Sequence, residues 1–368
     1  MSANSQPDGA EMTEDPPVPP GVDPNVPSPA RLYDFYLGGR HNFPSDRAAA
    51  KRIITALPDL PDAAWANRSF HQRAARWLAE QGIRQFIDIG SGLPTVGNTH
   101  EIVQAVAPDA RVVYVDNDPM VALFSADLLK DTQSATVVTA DLRDPPAVLG
   151  DPELRALIKD GEPTGLLMTA VMHFVAPSSD PWGLVDRYMA ALAPGSYLAL
   201  SHVTADRLPP RGVEEGIDVY SRATENIYVR PKGEVQRFFD HLDMVPPYPG
   251  ADAVVCYVGE WGAEVPSLAD SDGSRMLYCG VARRRLDRRG RHDRQADRRD
   301  PRHRHRGPVL AALGGRGGSH RGRLHRPARR AGHRVGANAG RRRPGGKGPG
   351  VRPPRVGVLP RRRPEGRI

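Results

Sequence analysis

The chain has 368 residues, 39% of them hydrophobic and 6% aromatic, with a formal charge of +8, a length that allows two domains or one large domain with appendages. The charge divides unevenly: residues 283–368 hold 29 basic and 5 acidic side chains (net +24), which leaves residues 1–282 at net −16. An acidic body argues against a general nucleic-acid binder, two cysteines exclude a disulfide scaffold or a cysteine zinc cluster, and no apolar run reaches the ~20 residues of a membrane helix.

Residues 1–28 are acidic and proline-rich, the reverse of a signal peptide, and are expected to form a disordered leader. Residues 29–82 read as a helical cap. The run Arg31–Leu37 forms a short amphipathic turn or helix broken by Gly38-Gly39, a helix spans about Asp46–Leu57, and another spans about Asp62–Gln81, where Phe70, Ala74, Trp77 and Leu78 recur at helical spacing. Strand and helix then alternate. Strands are expected at Phe86–Ile89, Val112–Val115, Ala135–Val138, Leu166–Val171 and Tyr197–Ser201. Intervening helices open at Asn98, with Glu101 three residues on, and at Asp118-Pro119, and one lies near Pro181–Leu192. Helices near Val213–Thr224 and Lys232–His241 follow, and Ala253–Val258 and Met276–Val281 close the body with no helix between them. This pattern predicts a doubly wound, mostly parallel α/β sheet of seven strands with an antiparallel edge hairpin, over residues 83–282. Cys256 and Cys279 fall in the late strands and read as buried, reduced thiols, consistent with a cytoplasmic setting.

Residues 283–368 contain no Phe, Trp or Tyr and consist mainly of Arg, Gly, Pro, Ala and His. Such a tail cannot bury a core. It reads as a frameshifted or mis-assigned extension rather than as a nucleic-acid arm, which would interleave aromatics with arginine.

Three strand ends carry chemistry. Asp88 ends the first strand before Gly90-Ser91-Gly92, a turn that lets backbone approach a nucleotide closely. The third glycine of the dinucleotide fingerprint is absent, with Pro94 and Thr95 in that region, which counts against NAD or FAD. Asp116 ends the second strand, suitably placed for ribose hydroxyls, and Asp141 ends the third, where it could accept from an adenine amino group. Strand ends of such a sheet converge on one crevice, so three carboxylates there point to a shared site. His41, His173 and His202 are the candidate general bases, with His173 preferred because it follows a strand's carboxyl end. Arg68, on a helix, reads as a solvated or ion-paired side chain that could instead hold a carboxylate.

With these motifs the chain resembles the S-adenosylmethionine-dependent methyltransferases of Rossmann-like fold. More narrowly it is similar to an actinobacterial family sharing an N-terminal ARxYDYxLGGxxNF signature, here Ala30-Arg31-Leu32-Tyr33-Asp34-Phe35-Tyr36-Leu37-Gly38-Gly39-Arg40-His41-Asn42-Phe43. The resemblance runs over about residues 28–282, through Asn67-Arg68, Asp88–Thr95, Val115–Pro119, Ala140–Arg143, Ala170–Val175 and Leu192–His202, and fails beyond about Arg285. It implies S-adenosylmethionine as cofactor, with Asp88, Gly90 and Gly92 around its methionine and ribose. It further implies Asp116 on the ribose hydroxyls, Asn117 beside the adenine, and Asp141 and Leu142 bracketing the adenine ring. His173 and Phe174 would face the sulfonium, and Tyr33–Phe43 would fold over the site as a lid, with Gly38 and Gly39 allowing close approach. The expected activity is methyl transfer to O, N or C of a small molecule, with His173 as tentative catalytic group and no metal. A cofactor-binding regulator without turnover, or a nucleic-acid methyltransferase steered by the basic tail, is the alternative.

Overall fold

The computed structural model describes residues 15–285; the leader's first residues and nearly all of the arginine-rich tail lie outside this range. Three helices come first: α1 (Pro29–Tyr36), α2 (Pro44–Ala56) and α3 (Leu60–Glu80). The sheet region runs β1 (Gln85–Ile89), α4 (Thr99–Val106), β2 (Arg111–Asp116), α5 (Pro119–Leu129), β3 (Ala135–Thr139), α6 (Pro145–Gly150), α7 (Pro152–Leu157), β4 (Gly165–Thr169), α8 (Pro181–Ala191) and β5 (Tyr197–Val203). The chain continues through α9 (Pro210–Tyr220), α10 (Lys232–Gln236), β6 (Asp243–Met244), β7 (Cys256–Tyr257), α11 (Pro266–Ala269) and β8 (Leu277–Arg283).

The strands form one sheet in the order β3-β2-β1-β4-β5-β8-β6, with β7 also paired to β8. β1 to β5 are mutually parallel, and β8 runs antiparallel to β5, β6 and β7. The expected doubly wound sheet with an antiparallel edge is present, with eight strands instead of seven. The extra strand, β6, is two residues long and carries no apolar run by which sequence could announce it. The late pairing is as expected, with Cys256 opposite Cys279 and their sulfurs 4.0 Å apart as free thiols.

Period-two alternation fills both faces. Phe86, Val112, Tyr114, Leu167 and Ala199 pack into one core with the N-terminal helices, while Ile87, Val113, Leu166 and Leu198 pack into another with α8 and the Phe238-Phe239 turn. Helix starts follow local chemistry: Glu101 reaches back to the Asn98 N–H at 2.8 Å, and Asp118 caps α5 by accepting from Met120 N at 2.9 Å. Helices α6 and α7, each six residues long, go beyond the expected pattern, and α11, four residues long, lies between β7 and β8 where no helix is expected. Both α6 and α7 start at Pro beside capping Asp144 and Asp151, and neither is long enough to show helical periodicity.

Two boundaries move. Residues 15–28, expected to be disordered, are tied down by polar contacts that composition does not reveal. Ser45 Oγ donates to Pro24 O at 2.5 Å, Arg31 donates to Val26 O, and Ser28 is buried, donating to Asp118 from its hydroxyl and to Asp46 from its N–H. At the other end Arg283 still belongs to β8, and Arg284 exchanges backbone hydrogen bonds with Gly195 and Ser196. Among the described residues no helix is long and apolar enough to cross a membrane.

Candidate functional site

A cavity of about 470 Å³ opens at the carboxyl ends of the parallel strands, beneath α1 to α3 and α9. It lies where strand order reverses between β1 and β4, the place where open α/β sheets bind ligands. Gly90, Gly92, Asp116, Asn117, Asp141, Leu142, His173, Phe174 and Tyr33 all line it. Asp88, Gly38 and Gly39 do not.

The turn after β1 explains its glycines. Gly90 and Gly92 have φ of 66° and 67°, a left-handed backbone that costs other residues roughly 1–2 kcal/mol. A Cβ on Gly90 would also overlap the Val171 side chain, whereas one on Gly92 meets nothing within 4 Å. The Gly92 N–H donates to Asp116 at 2.9 Å and the Asp118 N–H donates to its other oxygen at 3.0 Å. Each Asp116 oxygen keeps a free lone pair. Burial outweighs these bonds and raises the Asp116 pKa to about 6. Asp141 differs: burial pushes its pKa up, but hydrogen bonds from Arg143 prevail and hold it below the usual value. Arg143 also reaches Glu225 at 2.9 Å, so this pair ties the β3 end to the loop after α9 at the cavity wall.

Asp88 points away from the main cavity into a buried network. Thr99 Oγ1 donates to it at 2.5 Å, and both nitrogens of His71 bond hydroxyls, Thr99 at 2.8 Å and Thr169 at 2.9 Å. Because Thr99 spends its single proton on Asp88, His71 must donate from Nε2 and accept at Nδ1. Burial lowers the His71 pKa to about 3, so it is neutral, and raises that of Asp88 to about 6.

Arg68 on α3 does line the cavity, and its Nε is buried without a partner while one Nη donates to Gly97 O at 2.9 Å. Ser91 Oγ, in the Gly90–Gly92 turn, is likewise buried and unpartnered. Nearby a second network joins cap to sheet. Ala170 N donates to Ser201 Oγ (2.9 Å), Ser201 donates to Asn67 (2.5 Å), Asn67 donates to the Tyr33 hydroxyl (2.8 Å), and Tyr33 donates to Ala64 O (3.0 Å). Ala170 has φ of 54°, so β4 ends at Thr169 rather than continuing to Val171, and the chain turns sharply into the cavity wall. Asn67, Ser201 and Ala170 fall within segments that carry the family resemblance, but sequence assigns them no role because their hydrogen-bond partners lie on other elements.

Of the three histidine candidates, His173 alone borders the cavity. Its Nδ1 faces the Val203 N–H at 3.4 Å, and burial, with the nearby Arg230 cation, lowers its pKa to about 3. A neutral imidazole of such low basicity is poorly suited to remove a proton. His202 is fully buried between Val203 O and Arg230, 2.7 Å from each. The His41 ring lies tilted against Phe124, with centroids 3.9 Å apart. Gly38 and Gly39 serve the cap's own fold: a Cβ at Gly39 would overlap the Asp34 carboxylate, which accepts from His41 N and Asn42.

The residues fit an adenosyl amino acid. The unpartnered Arg68 Nε and Ser91 Oγ offer donors for a carboxylate beside the glycine turn, Asp116 offers acceptors for a diol, and Asp141 offers one for an amino group. Comparison with known proteins bears on the same point. The sequence model of a family described as S-adenosyl methyltransferase matches residues 17–285. A candidate methyltransferase from Thermobifida fusca YX is 38% identical, with a TM-score of 0.66, covering 73% of this chain and 98% of its own. A duf574 family protein from Streptomyces avermitilis is also 38% identical, with a TM-score of 0.65, over 70% of this chain and 98% of its own. No curated protein matches.

Proposed function

The chain belongs to the S-adenosyl methyltransferase family and S-adenosylmethionine is its cofactor; from this premise we propose that it methylates O, N or C of a small molecule held in the cavity beneath α1 to α3. The observation that carries the reading is Asp116, a buried carboxylate at the end of β2 whose two oxygens are oriented by backbone N–H groups and which lines the cavity. The cofactor, when bound, supplies an electrophilic methyl group on a cationic sulfur.

The protein's own part is positioning and exclusion of water. Asp116 accepts from the ribose hydroxyls, with Asn117 beside the adenine and Asp141 and Leu142 at its edge. Gly90 and Gly92 allow close backbone approach, and Arg68 with Ser91 holds the methionine carboxylate. His173 and Phe174 form an uncharged wall at the sulfur. Tyr33, fixed by Asn67, closes the site from the cap, and Gly21, Val22, Asp23 and Val26, which line the cavity, complete the cover. Asp88, Gly38 and Gly39 act behind this layer. No strong base faces the cavity among the described residues, so the acceptor atom must be nucleophilic without one, and His173 orients rather than deprotonates. The net −16 charge of residues 1–282 favours a small acceptor over nucleic acid.

Isothermal titration of S-adenosylhomocysteine into the full chain tests the assignment. Micromolar binding that weakens at least about ten-fold in Asp116→Ala supports it. Equal affinity in the two proteins contradicts it.

A further inference from the structure

The cavity is chemically divided. All of its carboxylates and guanidinium groups lie on the β-strand ends, the leader, the start of α1, Arg68 and the loop after α9. Among the described residues, the part formed by α2, by α9 with Leu208 just before it, and by Leu277 has none. There the walls are Ile53 and Leu57 from α2, Leu208 before α9, Val213 and Ile217 on α9, and Leu277 at the start of β8. None of the charged side chains on α2 and α9 lines the cavity, and three of them pair with one another outside it, Arg52 with Glu215 at 2.6 Å and with Asp218 at 2.8 Å.

Aromatic groups close this chamber. Phe174 and Tyr220 sit with ring centroids 5.7 Å apart, and Tyr36 enters from α1. The Tyr36 hydroxyl is buried and lacks a well-formed hydrogen bond although Tyr220 adjoins it; burial and that neighbour raise its pKa well above the usual value. A buried, unsatisfied hydroxyl in an apolar wall is costly unless a ligand completes it. Gly216 adds a second sign of room. It lines the cavity from within a helix, where glycine is unfavourable, yet a Cβ there would meet no atom within 4 Å.

We infer that this chamber is the acceptor subsite and that it selects an uncharged, flat, mostly apolar molecule with one hydrogen-bonding group directed at Tyr36. A charged acceptor would surrender its hydration with no counter-ion in these walls, whereas an aromatic ring matches the Phe174 and Tyr220 faces. The inference rests on the placement of the cofactor beside Asp116 given above.

The test uses the full chain saturated with S-adenosylhomocysteine and titrated at pH 7.5 with three probes of one shape: 2-naphthol, 2-naphthoate and 2-naphthylmethylammonium. The expected result is binding of 2-naphthol at least about ten-fold tighter than either ion. Gly216→Leu, which also removes a helix-destabilising glycine, should weaken 2-naphthol by a similar factor and leave S-adenosylhomocysteine affinity unchanged. Tyr36→Phe should weaken it about five-fold through loss of one hydrogen bond. Normal S-adenosylhomocysteine binding with no preference for the neutral probe, or with 2-naphthol indifferent to Gly216→Leu, overturns the inference alone. Failure of S-adenosylhomocysteine to bind overturns the cofactor placement as well.

Discussion

Asp116 makes the residue-scale argument quantitative. Its pKa of about 6 exceeds the ordinary carboxylate value because burial penalises the charge, so the group protonates as pH falls through 6 and loses acceptor capacity. If the ionised form binds the ribose, about a tenth of the sites are competent at pH 5, and S-adenosylhomocysteine affinity should fall about ten-fold between pH 7.5 and 5. Asp116→Asn should bind more weakly throughout but with a flat profile, which calorimetry at several pH values would reveal. Asp88 titrates in the same range but does not line the cavity. Its effect is on stability, and the sign follows from its raised pKa: the ionised form opposes folding at pH 7, and that penalty is relieved as pH falls through 6. Asp88→Asn should therefore compare more favourably with wild type at pH 7 than at pH 5 in thermal melts. Gly90→Ala combines backbone strain with overlap on Val171 and should cost about 2 kcal/mol or more in chemical denaturation. Gly92→Ala carries the strain alone, about 1 kcal/mol.

At the scale of elements, residues 30–43 mostly build the cap's internal architecture. Arg31 pairs with Asp46 at 2.8 Å, with both side chains almost wholly buried, and its guanidinium stacks 5.2 Å from the Phe43 ring. Asp46 in turn accepts from the Phe43 N–H at the start of α2. Arg31→Ala would leave Asp46 buried and unpaired, and should destabilise the protein by about 3–5 kcal/mol, measurable in urea. The same contrast shows what sequence could and could not reveal. The five parallel strands were legible because each is a short run rich in apolar or β-branched residues, buried along nearly its whole length in β1, β4 and β5, and α4 and α5 because their caps are local. β6, α6 and α7 were not, being too short for any period to register. The order in residues 15–28 was hidden because it depends on Ser45, Arg31 and Asp118, partners up to 90 positions away.

For the molecule as a whole, the polar half of the cavity could be read from strand-end carboxylates, since parallel topology brings successive strand ends together. The apolar half could not, because Ile53, Val213, Ile217 and Leu277 read individually as core residues, and only the folded cap sets them around a void. The cover is also a whole-molecule property: Gly21, Val22, Asp23 and Val26 reach the cavity, and Thr224 N donates to Pro27 O at 2.9 Å. Deleting residues 1–26 should speed S-adenosylhomocysteine dissociation in stopped flow by about ten-fold while leaving the sheet's circular dichroism intact.

The most direct single test is a crystal structure of the full chain with S-adenosylhomocysteine. The account predicts the ribose hydroxyls on Asp116, the adenine at Asp141 and Leu142, the carboxylate at Arg68, and the sulfur facing His173 and Phe174. A ligand bound elsewhere, or one lying in this cavity without touching Asp116, would contradict it.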